Sequence, residues 1–63
     1  MRQVELKSIS KGEFFRLTET AKATYVRDEY NREDKKFECY KYEDVNAFRS
    51  LKGSKKVFID FEF

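Results

Sequence analysis

Two short runs of alternating apolar and polar residues, separated by a polar gap, dominate the middle of the chain. The first run covers residues 24–30 and the second covers residues 36–42. Alternation with a period of two is typical of β-strands that bury one face. The polar residues 31–35 suit a hairpin loop of four or five residues. The pattern therefore predicts a β-hairpin whose buried face carries four side chains, namely Val26, Tyr30, Phe37 and Cys39.

Segments on both sides of this hairpin predict further strands. A short alternating segment covers residues 4–6, and a stronger one covers residues 13–17. The second follows Gly12, which can supply a positive φ where the chain turns into the strand. Residues 56–63 alternate most regularly, with Val57, Ile59, Phe61 and Phe63 on one face. They predict a last strand that runs to the final residue.

Residues 45–51 show a different period. Val45, Phe48 and Leu51 recur every three residues, and Asp44 can cap the start of a helix. The nine residues 43–51 are too few to form a stable helix in isolation, so we expect a helical turn that plugs one end of a β structure. Gly53 in the following turn ends that segment.

Five strands and one short helical turn predict a single mainly β domain over residues 1–63. Closing the sheet limits exposed aromatic edges, so we expect a small SH3-like barrel or a strongly bent five-stranded antiparallel sheet. The pattern Leu6-x-x-Ile9-x-x-Gly12-x-x-Phe15 resembles the opening of small SH3-like barrels, although an ordinary loop and strand explain it equally well. The predicted core is Leu6, Ile9, Phe15, Leu17, Val26, Tyr30, Phe37, Cys39, Val45, Phe48, Leu51, Val57, Ile59 and Phe61.

Composition changes this picture in two ways. Charged residues make up 41% of the chain, but the net charge is only +2, which indicates a solvated surface rather than a strongly basic one. A single cysteine cannot form an internal disulfide, so a cytoplasmic protein with a reduced thiol is expected. No apolar run approaches the roughly 20 residues that span a bilayer, and the first residues lack the apolar core of a signal peptide. We therefore expect no association with membranes.

The residue types argue against catalysis. Histidine, the most common general base at neutral pH, is absent, and so are Ser-His and Cys-His arrangements. Cys39 shares the parity of Phe37, which favours a small buried apolar role over that of a nucleophile. Gly12 and Gly53 stand alone, so there is no phosphate-binding glycine loop. The sequence predicts a non-enzymatic protein without a cofactor, a metal or an evident small-molecule substrate.

Binding remains, and two features favour it. The turn around Gly53 carries four positive charges and no negative ones within residues 49–56. Tyr40 and Tyr42 share the parity opposite to Phe37 and Cys39, which predicts an outer face. Exposed rings beside cations bind single-stranded nucleic acid in small β folds, because rings stack on bases and cations contact phosphates. The contact residues predicted for weak nucleic-acid binding are Tyr40, Tyr42, Arg49, Lys52, Lys55 and Lys56.

Other interpretations of the same residues stay open. A lysine-rich turn is usually only solvated, and paired tyrosines often cover a second small core. A groove of the same tyrosines could take a peptide, as SH3 domains do with extended proline-rich segments. The acidic Glu38 and Glu43 beside the tyrosines suit a basic peptide and repel phosphates. The alternative function is therefore a protein-interaction or homodimerisation module, in which a strand such as residues 57–63 pairs with its copy or with a partner strand.

Several short motifs recur in a known group of proteins. Residues 25–32 read Tyr-Val-Arg-Asp-Glu-Tyr-Asn-Arg, followed by Lys-Phe-Glu-Cys at 36–39, Asp-Val-Asn at 44–46 and Leu-Lys-Gly-Ser-Lys-Lys-Val-Phe at 51–58. This arrangement resembles very short uncharacterised proteins of gut Bacteroidales, their phages and mobile elements, over most of the chain from Lys11 onward. The resemblance implies a cytoplasmic bacterial or phage origin. It implies no activity and no functional residue.

Overall fold

The computed structural model describes residues 1–61, with the backbone alone at residue 45. The predicted mainly β fold is confirmed, since strands dominate these residues and a single 3₁₀ turn is their one helical element. In chain order the elements are β1 (Arg2–Glu5), the 3₁₀ turn η1 (Leu6–Ser8), β2 (Phe14–Phe15), β3 (Tyr25–Asn31), β4 (Lys36–Lys41), β5 (Asp44–Lys52) and β6 (Lys56–Ile59).

The strands form two antiparallel sheets. β1 pairs with β6, and the second sheet has the order β2-β3-β4-β5. The two sheets meet where Arg16 and Phe58 exchange backbone hydrogen bonds of 2.9 and 2.8 Å. Within the described residues neither sheet closes into a barrel. β6 has β1 on one side, and its Phe58 has Arg16 on the other, so Phe58 is not at a free edge. The pairing of residues 57–63 with a second copy stays a prediction.

The predicted hairpin is confirmed as β3 and β4, but its register contains an irregularity. Arg27 pairs with Cys39 and Tyr30 with Phe37, so β3 holds one extra residue between these pairs. Such a bulge reverses the faces of the residues that follow it. Tyr30 therefore lies on the face of Phe37 and Cys39, whereas Val26, which precedes the bulge, pairs with Tyr40 on the opposite face. The prediction that Val26 shares the core face is wrong for this reason.

The predicted helical turn at residues 45–51 is wrong, because this segment belongs to β5. Phe48 pairs with Tyr40 and Leu51 pairs with Phe37, so the ladder with β4 supplies backbone partners that a nine-residue helix would otherwise have to provide alone. Asp44 does not cap a helix. Its Oδ1 accepts a hydrogen bond from the backbone N–H of Asn46 at 3.1 Å, in the turn that enters the strand.

The core lies between the two sheets. Its members come from both sheets and from the segment around η1, and they are Leu6, Ile9, Phe15, Tyr25, Phe37, Cys39, Val57 and Ile59. Leu17 and Leu51 pack against this cluster as partly buried residues, as does Val4. Two members of the predicted core are exposed instead, Tyr30 by 44% and Phe48 by 64%. Tyr30 lies at the end of the sheet beyond the bulge, and Phe48 belongs to a strand face that points away from the core.

Turn geometry agrees with the sequence at two positions and shortens the last strand. Gly12 has a φ of 91°, as predicted. In the hairpin loop, Lys35 has a φ of 56°, and Oδ1 of Asn31 accepts a hydrogen bond from Glu33 N–H at 3.0 Å. β6 ends at Ile59 because Asp60 adopts a φ of 58°. The prediction that the strand continues through residues 60 and 61 is therefore wrong. Its last two residues, 62 and 63, and the predicted core position of the Val45 side chain lie outside what the structure describes.

Candidate functional site

The four-stranded sheet carries an apolar row on the face that points away from the core, called here the outer face. Phe14 pairs with Val26, Val26 pairs with Tyr40, and Tyr40 pairs with Phe48. Cross-strand partners lie on one face of a sheet, so these four side chains form a continuous row across all four strands. Val26 is only 4% exposed although it lies outside the core cluster, because its neighbours in the row cover it.

The outer face carries four aromatic rings, and we call Phe14, Tyr40, Tyr42 and Phe48 the aromatic face. The ring of Tyr42 meets the ring of Phe14 edge to face at 5.3 Å, and the rings of Tyr40 and Phe48 are 6.3 Å apart. Tyr42 is held in the turn after β4 by its backbone N–H, which donates to Thr24 O at 2.8 Å. Phe14, Tyr42 and Phe48 are 39%, 54% and 64% exposed. The rings therefore present an accessible apolar surface on a supported backbone.

A charged segment continues the outer face toward the β3–β4 hairpin loop. Alternate residues of a strand share a face, so Lys36 and Glu38 lie on the same side of β4 as Tyr40. Lys36 pairs with Lys52 of β5, and Glu38 pairs with Ser50. Going along β4, the outer face therefore presents two ammonium groups, then one carboxylate, then the rings. Alternate residues are about 7 Å apart along a strand, so the three groups fit within about 14 Å.

The structure brings together only half of the predicted contact residues. Tyr40, Tyr42 and Lys52 share the outer face. Arg49 pairs with Cys39, which places it on the core-side face, where its guanidinium lies 5.9 Å from the ring centroid of Tyr25. Lys56 pairs with Glu5 in the other sheet.

Lys55 lies in the turn between β5 and β6, and it uses its backbone there. Its N–H donates to Lys52 O at 3.0 Å, and its carbonyl accepts from Leu6 N–H at 2.9 Å. The positive charges that cluster in the sequence are therefore spread over both faces of the four-stranded sheet, the turn between β5 and β6, and the second sheet.

Four residues of this surface are absent from the sequence-based prediction of the site: Phe14, Lys36, Glu38 and Phe48. For Phe48 the local signal points the other way, since the three-residue spacing of Val45, Phe48 and Leu51 favours a helix. For Phe14 no local signal exists. The predicted core already contains Phe15 and not Phe14, which is confirmed, but only the register with β3 brings Phe14 into the row with Val26.

The Cys39 thiol and the Glu29 carboxyl, which lie outside the aromatic face, have shifted pKa values. Burial raises the pKa of the Cys39 thiol to about 11, so the thiolate nucleophile is suppressed at neutral pH. The hydrogen bond from the Lys11 ammonium lowers the pKa of the Glu29 carboxyl on the surface. Among residues 1–61 no group of three or more acidic or cysteine side chains is arranged to hold a metal ion. The outer face, which carries the exposed rings and the charged groups beside them, is the candidate binding surface.

Comparison with known proteins finds no matching family model, no matching curated protein and no matching solved structure. Within the described part of the chain, none of the helical structure has the length and apolar character needed to cross a membrane.

Proposed function

We propose that this protein is a non-enzymatic module that binds single-stranded nucleic acid weakly on the outer face of its four-stranded sheet. The observation that carries this proposal is the aromatic face itself, in which two edge-to-face pairs of rings lie on one face of the sheet, with three rings exposed and Tyr40 half-buried. A sheet with exposed rings on neighbouring strands offers several stacking positions at once. Unpaired bases stack on such rings, whereas bases within a duplex are already stacked.

The charges beside the rings support the same ligand. Lys36 of β4 and Lys52 of β5 are direct cross-strand partners beyond one end of the aromatic face. Two like charges in direct cross-strand positions repel one another, and an anion bound between them removes that repulsion. A phosphate of a strand whose bases lie on the rings of Tyr40 and Phe48 would supply such an anion. The pair therefore favours an extended polyanion that continues past the rings.

The test uses fluorescence anisotropy of short labelled DNA and RNA strands at low salt. Tyr40→Leu and Phe48→Leu each remove a ring from the aromatic face and keep apolar volume. Stacking contributes about 1–3 kcal/mol per base, so each variant should weaken binding about 5- to 100-fold. Amide NMR shifts on titration should map to β4, β5 and the residues that flank Phe14.

Tyr30→Leu is the matched control. Tyr30 is also an exposed tyrosine of the same sheet, but the bulge in β3 places it on the other face, against the ring of Phe37. Its substitution should leave the dissociation constant within about twofold. Equal losses for Tyr30→Leu and Phe48→Leu, or no binding by any strand, would refute the proposed site.

A second candidate function uses the same surface. Exposed rings also anchor protein partners, and the unpaired carboxylate of Glu38 suits a basic peptide. If this is the function, a basic peptide shifts the same amides in the NMR spectrum, whereas short DNA and RNA strands shift none. The cytoplasmic location, where Cys39 stays reduced, and the SH3-like character of the N-terminal segment are further parts of the proposal that the ring variants do not address.

A further inference from the structure

We infer that Glu38 selects the base that binds next to the rings, and that it favours guanine. This inference rests on the proposed function. Glu38 is half-buried on the outer face, between the lysine pair at residues 36 and 52 and the ring of Tyr40. Among residues 1–61 its carboxylate has no hydrogen-bond or ion-pair partner. A strand that covers the rings and reaches the lysines must pass over this carboxylate.

The chemistry of an ionised carboxylate determines which base it accepts. It offers two acceptor oxygens and no donor. The exposed edge of an unpaired guanine presents two parallel donors, N1–H and N2–H, which match both oxygens. Cytosine and adenine present an amino donor beside an acceptor nitrogen, so one oxygen is left opposed to a lone pair. Thymine and uracil place a carbonyl on each side of their N–H and are repelled most.

Position on the sheet makes this contact compatible with stacking. Glu38 and Tyr40 are alternate residues of one strand, about 7 Å apart, which is within the reach of a base that stacks at the edge of the ring. Ser50 lies directly across from Glu38, and it is small enough to leave the carboxylate accessible from the side of β5. The same carboxylate repels the phosphate backbone, so it lowers affinity for sequences without a suitable base. Glu38 therefore acts as a specificity residue.

The test compares pentathymidine with pentamers whose central thymine is replaced by guanine, hypoxanthine, cytosine or adenine. Guanine should bind about 5- to 100-fold more tightly than thymine, the range of a good bidentate base contact. Hypoxanthine keeps N1–H and lacks the amino group, so it should lose most of that preference. Glu38→Gln should tighten binding of pentathymidine, because a repulsive charge is removed, and should reduce the preference for guanine to about twofold.

Glu33→Gln is the matched control for charge. Glu33 lies in the hairpin loop, away from the rings, and the substitution changes net charge by the same amount. It should leave the order of the five pentamers unchanged. Equal affinities for all five pentamers, or a guanine preference that persists in Glu38→Gln, would overturn this inference and leave the proposed function standing. Failure of every pentamer to bind at low salt would overturn both.

Discussion

Cys39 illustrates how a single residue takes its chemical character from its surroundings. The side chain is fully buried in the core cluster, and its Sγ lies 3.7 Å from the carbonyl oxygen of Phe37. Burial disfavours the charged thiolate and raises the pKa from 9.0 to about 11. The residue therefore contributes packing as a small apolar group.

We expect the native thiol of Cys39 to be nearly inert toward Ellman's reagent. At about pH 8 the folded protein holds about 100-fold less thiolate than the unfolded chain, because the two pKa values differ by about two units. The reaction rate should rise with pH, and its midpoint should lie near 11 when native and near 9 in denaturant. Equal rates in native buffer and in denaturant would show that Cys39 is exposed.

Gly53 shows a second effect at this scale, which is close approach. A Cβ atom at this position would lie 3.0 Å from Cε2 of Phe37 and 3.1 Å from Cβ of Lys7. The turn after β5 therefore packs its backbone directly on a core ring. The same turn receives the Lys7 N–H on the Gly53 carbonyl at 3.0 Å, which ties η1 to the end of β5.

At the scale of elements, the two-residue strand β2 contributes one aromatic ring to each face of the four-stranded sheet. Phe15 pairs with Tyr25, its side chain is fully buried, and the two rings stack at 5.8 Å. Phe14 pairs with Val26 on the outer face. β2 therefore supplies the ring of Phe15 to the core and the ring of Phe14 to the candidate interface.

Substituting these neighbours with alanine should give very different stabilities. Phe15→Ala creates a cavity in the core and should cost about 3–5 kcal/mol, which approaches the whole stability of a domain of this size. Phe14→Ala removes a ring that is 39% exposed and lies outside the core, and we expect a smaller loss of about 1 kcal/mol. Denaturant unfolding followed by circular dichroism measures both values. A larger loss of stability for Phe14→Ala than for Phe15→Ala would reverse the assignment of the two faces.

β5 is the element on which the site most depends, and it is a strand because it pairs with β4. The spacing of its own apolar residues at 45, 48 and 51 fits a helix. Pairing with β4 decides the outcome, because it places Leu51 against Phe37 in the core and Phe48 against Tyr40 on the outer face. Local propensity is weak enough for such contacts to override it.

At the scale of the whole molecule, charge is abundant but nearly balanced. The net charge of +2 gives little long-range attraction for a polyanion. Attraction must therefore come from a few positioned cations, and the outer face offers Lys36 and Lys52. This arrangement is consistent with weak binding and with a strong effect of each lysine.

Salt dependence should report these two lysines. For single strands the slope of log Kobs against log salt is about −0.7 for each phosphate contact, so two contacts predict a slope of about −1.4. Lys52→Gln should reduce it to about −0.7. Lys56→Gln, which alters the other sheet opposite Glu5, should leave the slope unchanged. A slope that is equally sensitive to both substitutions would mean that phosphates do not follow the outer face.

Features that depend on neighbouring residues were predictable from the sequence alone. The alternation of residues 24–30 and 36–42 predicted the hairpin, the polar residues between them predicted its loop, and Gly12 predicted a positive φ. Tyr40 and Tyr42 were placed correctly on the outer face because β4 runs without a bulge up to Tyr40. In each case the physical cause, a turn preference or a period of two, acts within a few residues.

Features that depend on register were decided only by tertiary structure. One extra residue in β3 places Val26 and Tyr30 on opposite faces of the sheet, and no local preference marks where that bulge falls. The ladder with β4 makes residues 45–51 a strand, which brings Phe48 to the rings and separates Arg49 from Lys52. The physical reason is that strand pairing joins residues far apart in the chain, so its energy does not appear in any short stretch of sequence.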